Sequence, residues 1–223
     1  QRMEEGIEIL TRLFAGEKFS FHGQHYTYND IHSQVRRLAA YLVSHGVTPG
    51  SRVAIAMRNY PEWVTAYWAI VSVGAAVVGM NAWWTPPEME YALNDSEPRV
   101  IILDDERLER MSHMPSQRAM HVISVRTDRA IPADGARWTD VMKTADPGSL
   151  PNVSIDPDDD ATIFYTSGTT GFPKGAQLTH RGSINNIMNL SVMSATVALA
   201  EQKGIAAGEI PAPAAAPEPR PVV

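Results

Sequence analysis

Five short, unbroken apolar runs constrain this chain more than any other feature: Arg52–Met57, Ala75–Met80, Arg99–Leu103, His121–Val125 and Ala161–Tyr165. A strand with one wet face alternates apolar and polar residues, so unbroken runs of this length predict strands covered on both faces. The segments between several of these runs carry helical spacing or helix-start signals, and parallel strands need crossover connections of that kind. The expected fold is therefore α/β, with a largely parallel sheet flanked by helices.

The helices announce themselves at their ends. Ile31, Val35, Leu38, Ala39, Leu42 and Val43 recur at helical spacing, with Asn29 or Asp30 as the cap and Gly46 as the stop. Pro61 opens a second helix that reaches about Gly74, and Pro86 and Pro87 open a third that ends near Asn94. Residues 127–160 mix Asp, Pro and Gly with few apolar runs, and Asp156–Asp160 reads as a solvated turn. Pro211–Val223 holds five prolines among alanines and is expected to be extended or disordered. No internal repeat is present.

The last apolar run leads straight into Thr166-Ser167-Gly168-Thr169-Thr170-Gly171-Phe172-Pro173-Lys174-Gly175. Three glycines let backbone N–H groups come close to an anion and turn inward on it. The hydroxyls of Thr166, Ser167, Thr169 and Thr170 can donate to phosphate oxygens, and Lys174 adds a point charge suited to a β- or γ-phosphate. The expected order is strand, loop, lysine, then a helix that begins near Thr179 and runs through Ile184, Ile187, Met188 and Leu190. A Walker A loop requires G-x-x-x-x-G-K-[ST], whereas Gly171 is followed by Phe-Pro-Lys-Gly; the G-x-G-x-x-G dinucleotide fingerprint is also missing. The plain alternative, a flexible Ser/Thr/Gly surface loop, sits poorly with a ten-residue segment of this pattern placed directly after a buried strand.

Composition narrows the function classes. Nineteen Lys and Arg against twenty-five Asp and Glu give a formal net charge of −6, with the basic residues scattered, so no nucleic-acid surface is expected. The absence of cysteine removes disulfides and thiolate metal sites, and fits a reducing compartment. No apolar run reaches membrane-spanning length, since Ala66–Met80 is broken by Ser72, Gly74 and Gly79. A soluble, cytoplasmic protein is the expectation.

Tyr165 to Gly175 resembles the AMP-binding signature of the adenylate-forming superfamily, which includes acyl-CoA synthetases, firefly-type luciferases and peptide-synthetase adenylation domains. Thr27-Tyr28-Asn29-Asp30, Gly50–Ile55 with Asn59-Tyr60-Pro61-Glu62-Trp63, and Gly74–Val78 with Asn81 and Thr85 are similar to further family patterns. The chain thus resembles the N-terminal part of an AMP-forming acyl-CoA synthetase, a fatty-acid–CoA ligase. The resemblance implies the N-terminal subdomain of that fold, incomplete, with a partial AMP-binding domain over residues 27–195. Residues 1–26 then form a lead-in segment of uncertain origin, and 196–223 an Ala/Pro-rich extended or truncated segment.

It also implies a reaction in which a carboxylate attacks the α-phosphate of ATP to give acyl-adenylate and pyrophosphate, and coenzyme A then takes the acyl group. Carried over, Thr166, Ser167, Gly168, Thr169, Thr170, Gly171 and Lys174 bind the nucleotide phosphates, and Thr166 approaches Mg²⁺. The implied partners are a small carboxylate, a fatty acid in the first instance, together with ATP, Mg²⁺ and coenzyme A. The later family segments are not found: the aromatic-Gly-x-Thr-Glu stretch, the T-G-D stretch and the lysine-bearing C-terminal domain. The expectation is a chain cut inside a loop, inactive by itself, with a natural disordered tail as the alternative. Competing readings are a non-catalytic nucleotide-binding or interaction module, and an unrelated phosphotransferase or NTPase.

Other residues have plainer readings. His180 is a helix-start residue that contacts backbone, Trp83-Trp84 are packing residues rather than an acyl pocket, and Asp104-Asp105-Glu106 is a solvated helix start. His22, His25, His32 and His45 lack ligand spacing, so no metal site is expected from them. Residues 1–26 are similar to a segment of luciferase-like flavin or F420 monooxygenases, read as a fused or mis-joined terminus without that activity. The alternative is an amphipathic lead-in helix followed by a hairpin over Phe19–Tyr28.

Overall fold

The computed structural model describes residues 27–114, 119–166, 173–208 and 211. It forms two compact units, one of residues 28–188 and the other of 1–27 with 189–223. The larger unit is built on a seven-stranded sheet: β1 (Arg52–Ala56), β2 (Ala76–Gly79), β3 (Val100–Asp104), β4 (His121–Val125), β5 (Ala136–Arg137), β6 (Asp160–Thr166) and β7 (Lys174–Thr179). The spatial order is β5-β4-β3-β1-β2-β6-β7, parallel throughout except for β7, which runs antiparallel to β6 at the edge.

Across β1, β2, β3 and β4 both faces of the sheet are covered, which is why those strands read as unbroken apolar runs. Val53, Ile55, Val77, Val100, Ile102, Ile123 and Val125 point to one face. That face is covered by α1 (Tyr28–Ser44), α2 (Pro61–Ser72) and the short α5 (Trp138–Lys143). Ala54, Ala56, Val78, Ile101, Leu103, Val122 and Ile163 point to the other, beneath α3 (Pro86–Ser96) and α4 (Asp105–Ser112). The last helix, α6, spans His180–Ala206.

Helix ends follow local chemistry. α1 stops at Gly46, whose φ is 79°, with Gly46 N donating to Val43 O and Val47 N to Leu42 O, both at 3.0 Å. Those two bonds satisfy carbonyls the helix leaves open, and only glycine adopts that φ at no steric cost. The helix starts at Tyr28, so Asn29 and Asp30 lie inside its first turn rather than capping it, and Asp30 there complements the helix dipole. α3 opens with a reciprocal capping box: Glu88 Oε2 accepts from Thr85 N at 2.8 Å and from Thr85 Oγ1 at 2.7 Å. Those hydrogen bonds hold the Glu88 carboxyl below its ordinary range.

One stretch of mixed composition gains elements, and two expectations need correction. The stretch 127–160 contains β5 and α5, and α5 buries Trp138 and Val141 against the α1 side of the sheet. Just beyond it, Asp146 pairs with Arg36 at 2.5 Å and accepts from Ser33 Oγ at 2.8 Å, which fastens the segment to α1. Residues 196–206, expected to be extended, belong to α6, because they are rich in alanine and the prolines begin only at Pro211. Lys174–Thr179, expected as a loop leading to a helix, is strand β7. The lead-in 1–26, with the Phe19–Tyr26 part of its expected hairpin, and residues 212–223 lie outside the described residues, while Tyr28, the expected end of that hairpin, opens α1.

Candidate functional site

The glycine-rich segment is the connection of a β-hairpin. Thr166 ends β6 and Lys174 begins β7, and the two are direct partners in the antiparallel ladder, with residues 167–173 between them. Directly opposed residues share a face of the sheet with Cβ atoms about 5 Å apart, so the Thr166 hydroxyl and the Lys174 side chain emerge on the same side. Both residues are exposed, and Lys174 pairs with no carboxylate among the described residues. Ser167, Gly168, Thr169, Thr170 and Gly171 lie outside the described residues, while Pro173 is buried.

Topology puts this hairpin where α/β sheets take ligands. The connection from β2 turns back across β1 to β3, whereas the connection from β6 runs outward to β7. The carboxyl ends of β2 and β6 therefore flank a reversal point, and the crevice outside such a point is the usual ligand position in open α/β sheets.

The base of the hairpin is held on both faces. Tyr165 donates its hydroxyl to Asp95 Oδ2 at 2.5 Å, and its ring meets Trp84 edge-on with centroids 5.7 Å apart. Burial and that hydrogen bond push the Tyr165 phenol well above its ordinary range. Across the ladder Tyr165 faces Gly175, where a Cβ would meet Ile163 Cγ2 at 3.0 Å and the Tyr165 ring at 3.3 Å. On the opposite face Phe164 lies so close over Gly79 that a Cβ there would sit 2.7 Å from its ring. Glycine at 79 and 175 is thus a packing requirement rather than a source of flexibility.

Beyond β7, Thr179 caps α6 by accepting from Gly182 N at 3.1 Å. Arg181 pairs with Asp158 through both carboxylate oxygens, at 2.6 and 3.0 Å, and that pairing lowers the Asp158 carboxyl. His180 N donates to Asp159 O at 3.2 Å, as a helix-start residue would; its Nε2 is buried with no hydrogen-bond partner among the described residues. Trp84 is a packing residue, but Trp83 is 68% exposed with the Arg58 guanidinium 4.1 Å above its ring. Asp104 is not solvated. It is buried, caps α4 through Arg107 N, and pairs with the Arg107 guanidinium at 3.0 Å.

The family model for the AMP-binding enzyme matches residues 13–207. The chain belongs to the AMP-binding enzyme family. The match starts within the lead-in segment 1–26 and ends beside the last residues of α6. Among curated relatives, 4-coumarate–CoA ligase 2 of Oryza sativa subsp. japonica is 32% identical over 175 residues, covering 74% of this chain and 31% of its own length. A long-chain-fatty-acid–CoA ligase of Bacillus subtilis is 31% identical over 191 residues, covering 75% of this chain and 34% of its own length. ATP-bound MatB from Rhodopseudomonas palustris superposes with a TM-score of 0.64 at 27% identity, covering 75% of this chain and 32% of that structure. The chain therefore spans about a third of the length of the relatives it matches. Within the AMP-binding family it carries the N-terminal part of the domain, and these relatives are acyl- and aryl-CoA ligases.

Two contributors to the site escaped sequence reasoning. Tyr165 was visible as the end of a strand and the start of the family-like segment, with no sign of its partners Asp95 and Trp84. Arg107 gave the signal Asp-x-x-Arg at a strand end, which also fits an exposed helix start.

Proposed function

We propose that this chain carries the triphosphate-binding part of an ATP-dependent carboxylate–CoA ligase. In this reading the parent activity joins ATP and a carboxylic acid to give an acyl-adenylate and pyrophosphate, then passes the acyl group to coenzyme A. The observation that carries the reading is the Thr166–Lys174 pair closing a glycine-rich hairpin inside a family match that covers most of the chain. Thr166, Ser167, Gly168, Thr169, Thr170, Gly171 and Lys174 hold the β- and γ-phosphates, the hydroxyls and backbone N–H groups as donors and the ammonium as a point charge. Such a site works by positioning the phosphates and stabilising charge on the departing pyrophosphate.

Mg²⁺ fits the same donor set. No group of three acidic or histidine side chains able to hold a metal is present among the described residues. In this reading the ion sits on the phosphate oxygens with the Thr166 hydroxyl beside it, and would neutralise phosphate charge. The acid is assigned to the class shared by the relatives, fatty or aryl carboxylic acids, with a fatty acid as the first candidate. A cytoplasmic setting, where ATP and coenzyme A are available, belongs to the same proposal; no helix among the described residues is long and apolar enough to cross a membrane.

The 223 residues bind ATP but do not form acyl-adenylate alone. ATP–pyrophosphate exchange with a panel of fatty and aryl acids tests this. The expected result is ATP binding without exchange. Exchange that depends on an added acid would overturn the claim of inactivity, and absence of ATP binding would overturn the site.

A further inference from the structure

The loop between β2 and α3, residues 80–85, is held by a buried cation. Arg107, on the first turn of α4, is 1% exposed and is among the largest fully buried side chains of the molecule. Its Nη1 donates to both oxygens of Asp104, at 3.1 and 3.0 Å, and to Glu106 Oε2 at 3.0 Å. Its Nε and Nη2 converge on a single backbone atom, the carbonyl oxygen of Ala82, Nε at 2.9 Å. Arg110, one turn along, donates from Nη1 to Ala82 O at 3.1 Å and to Trp84 O at 2.6 Å. Asn81 closes the loop from inside, its Oδ1 accepting from Trp83 N at 2.9 Å.

A buried ion pair of this kind is weak evidence for stability, because desolvating two charges offsets most of their attraction. What it does supply is direction. The guanidinium is a rigid planar fork, and only arginine can engage a carboxylate on one edge and a carbonyl on the other. The fixed backbone at 82–84 aims the Trp84 ring at Tyr165, and Tyr165 immediately precedes Thr166.

We propose that Arg107, locked to Asp104, is a positioning residue: it sets the 80–85 loop so that Trp84 holds Tyr165 and the base of the glycine-rich hairpin in register for the nucleotide. This rests on the reading of that hairpin as the phosphate site. Arg107 touches no ligand; it acts through Ala82, Trp84 and Tyr165.

The test combines hydrogen–deuterium exchange with calorimetric ATP binding on the full chain, for wild type, Arg107→Lys, Trp84→Leu and the double variant. Lysine keeps the charge but cannot span Asp104 and Ala82 O together. Arg107→Lys is expected to speed exchange in 80–85 and 160–166 about fivefold more than in β4, and to weaken ATP binding by about the same factor. In the Trp84→Leu background the same substitution changes ATP affinity less than about twofold, because the relay is already cut. Uniformly faster exchange, or an equal loss of affinity in both backgrounds, would overturn the proposal. Should Arg107→Lys not fold, Arg110→Ala frees Trp84 O while sparing the buried pair, and must raise exchange in the same two segments. If the wild type binds no ATP, the phosphate-site reading fails, and the exchange pattern still decides whether Arg107 orders the hairpin base.

Discussion

Replacing Gly79 with alanine isolates the packing that supports the hairpin. The new Cβ would stand 2.7 Å from both Cδ1 and Cε1 of Phe164, the residue that Gly79 faces in the β2–β6 register. Carbon atoms prefer about 3.5–4.0 Å, so the overlap is close to an ångström and the ring must move. Overpacking of that size costs about 1–3 kcal/mol. Against it, alanine reduces the freedom of the unfolded chain, a gain of about 0.4–1 kcal/mol where the backbone tolerates it. Gly79 has no positive φ, so that gain applies, and the overlap still wins. The expected net loss is about 1–2 kcal/mol, a fall in Tm of about 2–4 °C for each kcal/mol in a chain of this size. The decisive assay is urea or thermal unfolding of Gly79→Ala in the wild type and in Phe164→Ala. With the ring gone the overlap disappears, and the sign reverses to neutral or slightly stabilising. A cost of equal size in both backgrounds would refute the packing argument.

Other perturbations give separate expectations. Burial, with the His45 ring tilted against it at a centroid distance of 4.5 Å, depresses the His121 imidazole, while Asp134 opposes the shift; Tyr41 Oη lies 3.0 Å from its Nε2. The folded chain thus binds that proton less readily than the unfolded one, whose imidazole titrates near about 6.5. Stability is full above about pH 7 and falls as the pH drops through about 6.5 toward the lower folded value, and His121→Gln flattens that part of a stability–pH profile. Asp146 is the opposite case in charge: Arg36, Gly148 N and Ser33 hold its carboxyl far below the usual range. Its contribution is present at neutral pH and is lost as the pH falls below about 4, so Asp146→Asn narrows the gap between neutral and acid stability. Thr85→Ala removes half of the capping box on α3 and costs about 1 kcal/mol in denaturant unfolding.

The parallel core was legible because burial on both faces leaves a one-dimensional trace: β1, β2, β3, β4 and β6 each appear as an apolar run. Strand β7 left no such trace. Lys174–Thr179 is exposed along most of its length, pairs on one side only, and carries glycine and polar residues that also suit a loop. Its existence is dictated by β6, a neighbour in space whose claim on those backbone groups no local pattern records. The capping box Thr85-x-x-Glu88 was present in the sequence and is a readable signal that sequence reasoning passed over. The burial of Asp104 was not readable, since three consecutive acids look solvated until Arg107 folds back to meet the first of them. Residues 196–206 show how composition misleads when one window mixes alanine, which favours helix, with proline, which ends it. At the site, the residue types were legible from the glycine-rich segment, but the opposition of Thr166 and Lys174 across a ladder was not.

The central claim is that this hairpin receives a triphosphate, and the most direct measurement compares ATP and AMP binding by calorimetry for the wild type and Lys174→Ala. A point charge on the β- and γ-phosphates predicts that Lys174→Ala weakens ATP binding about tenfold or more, while AMP affinity changes less than about twofold. Equal losses for ATP and AMP, or an unchanged ATP affinity, would contradict the assignment of the glycine-rich hairpin as the triphosphate site.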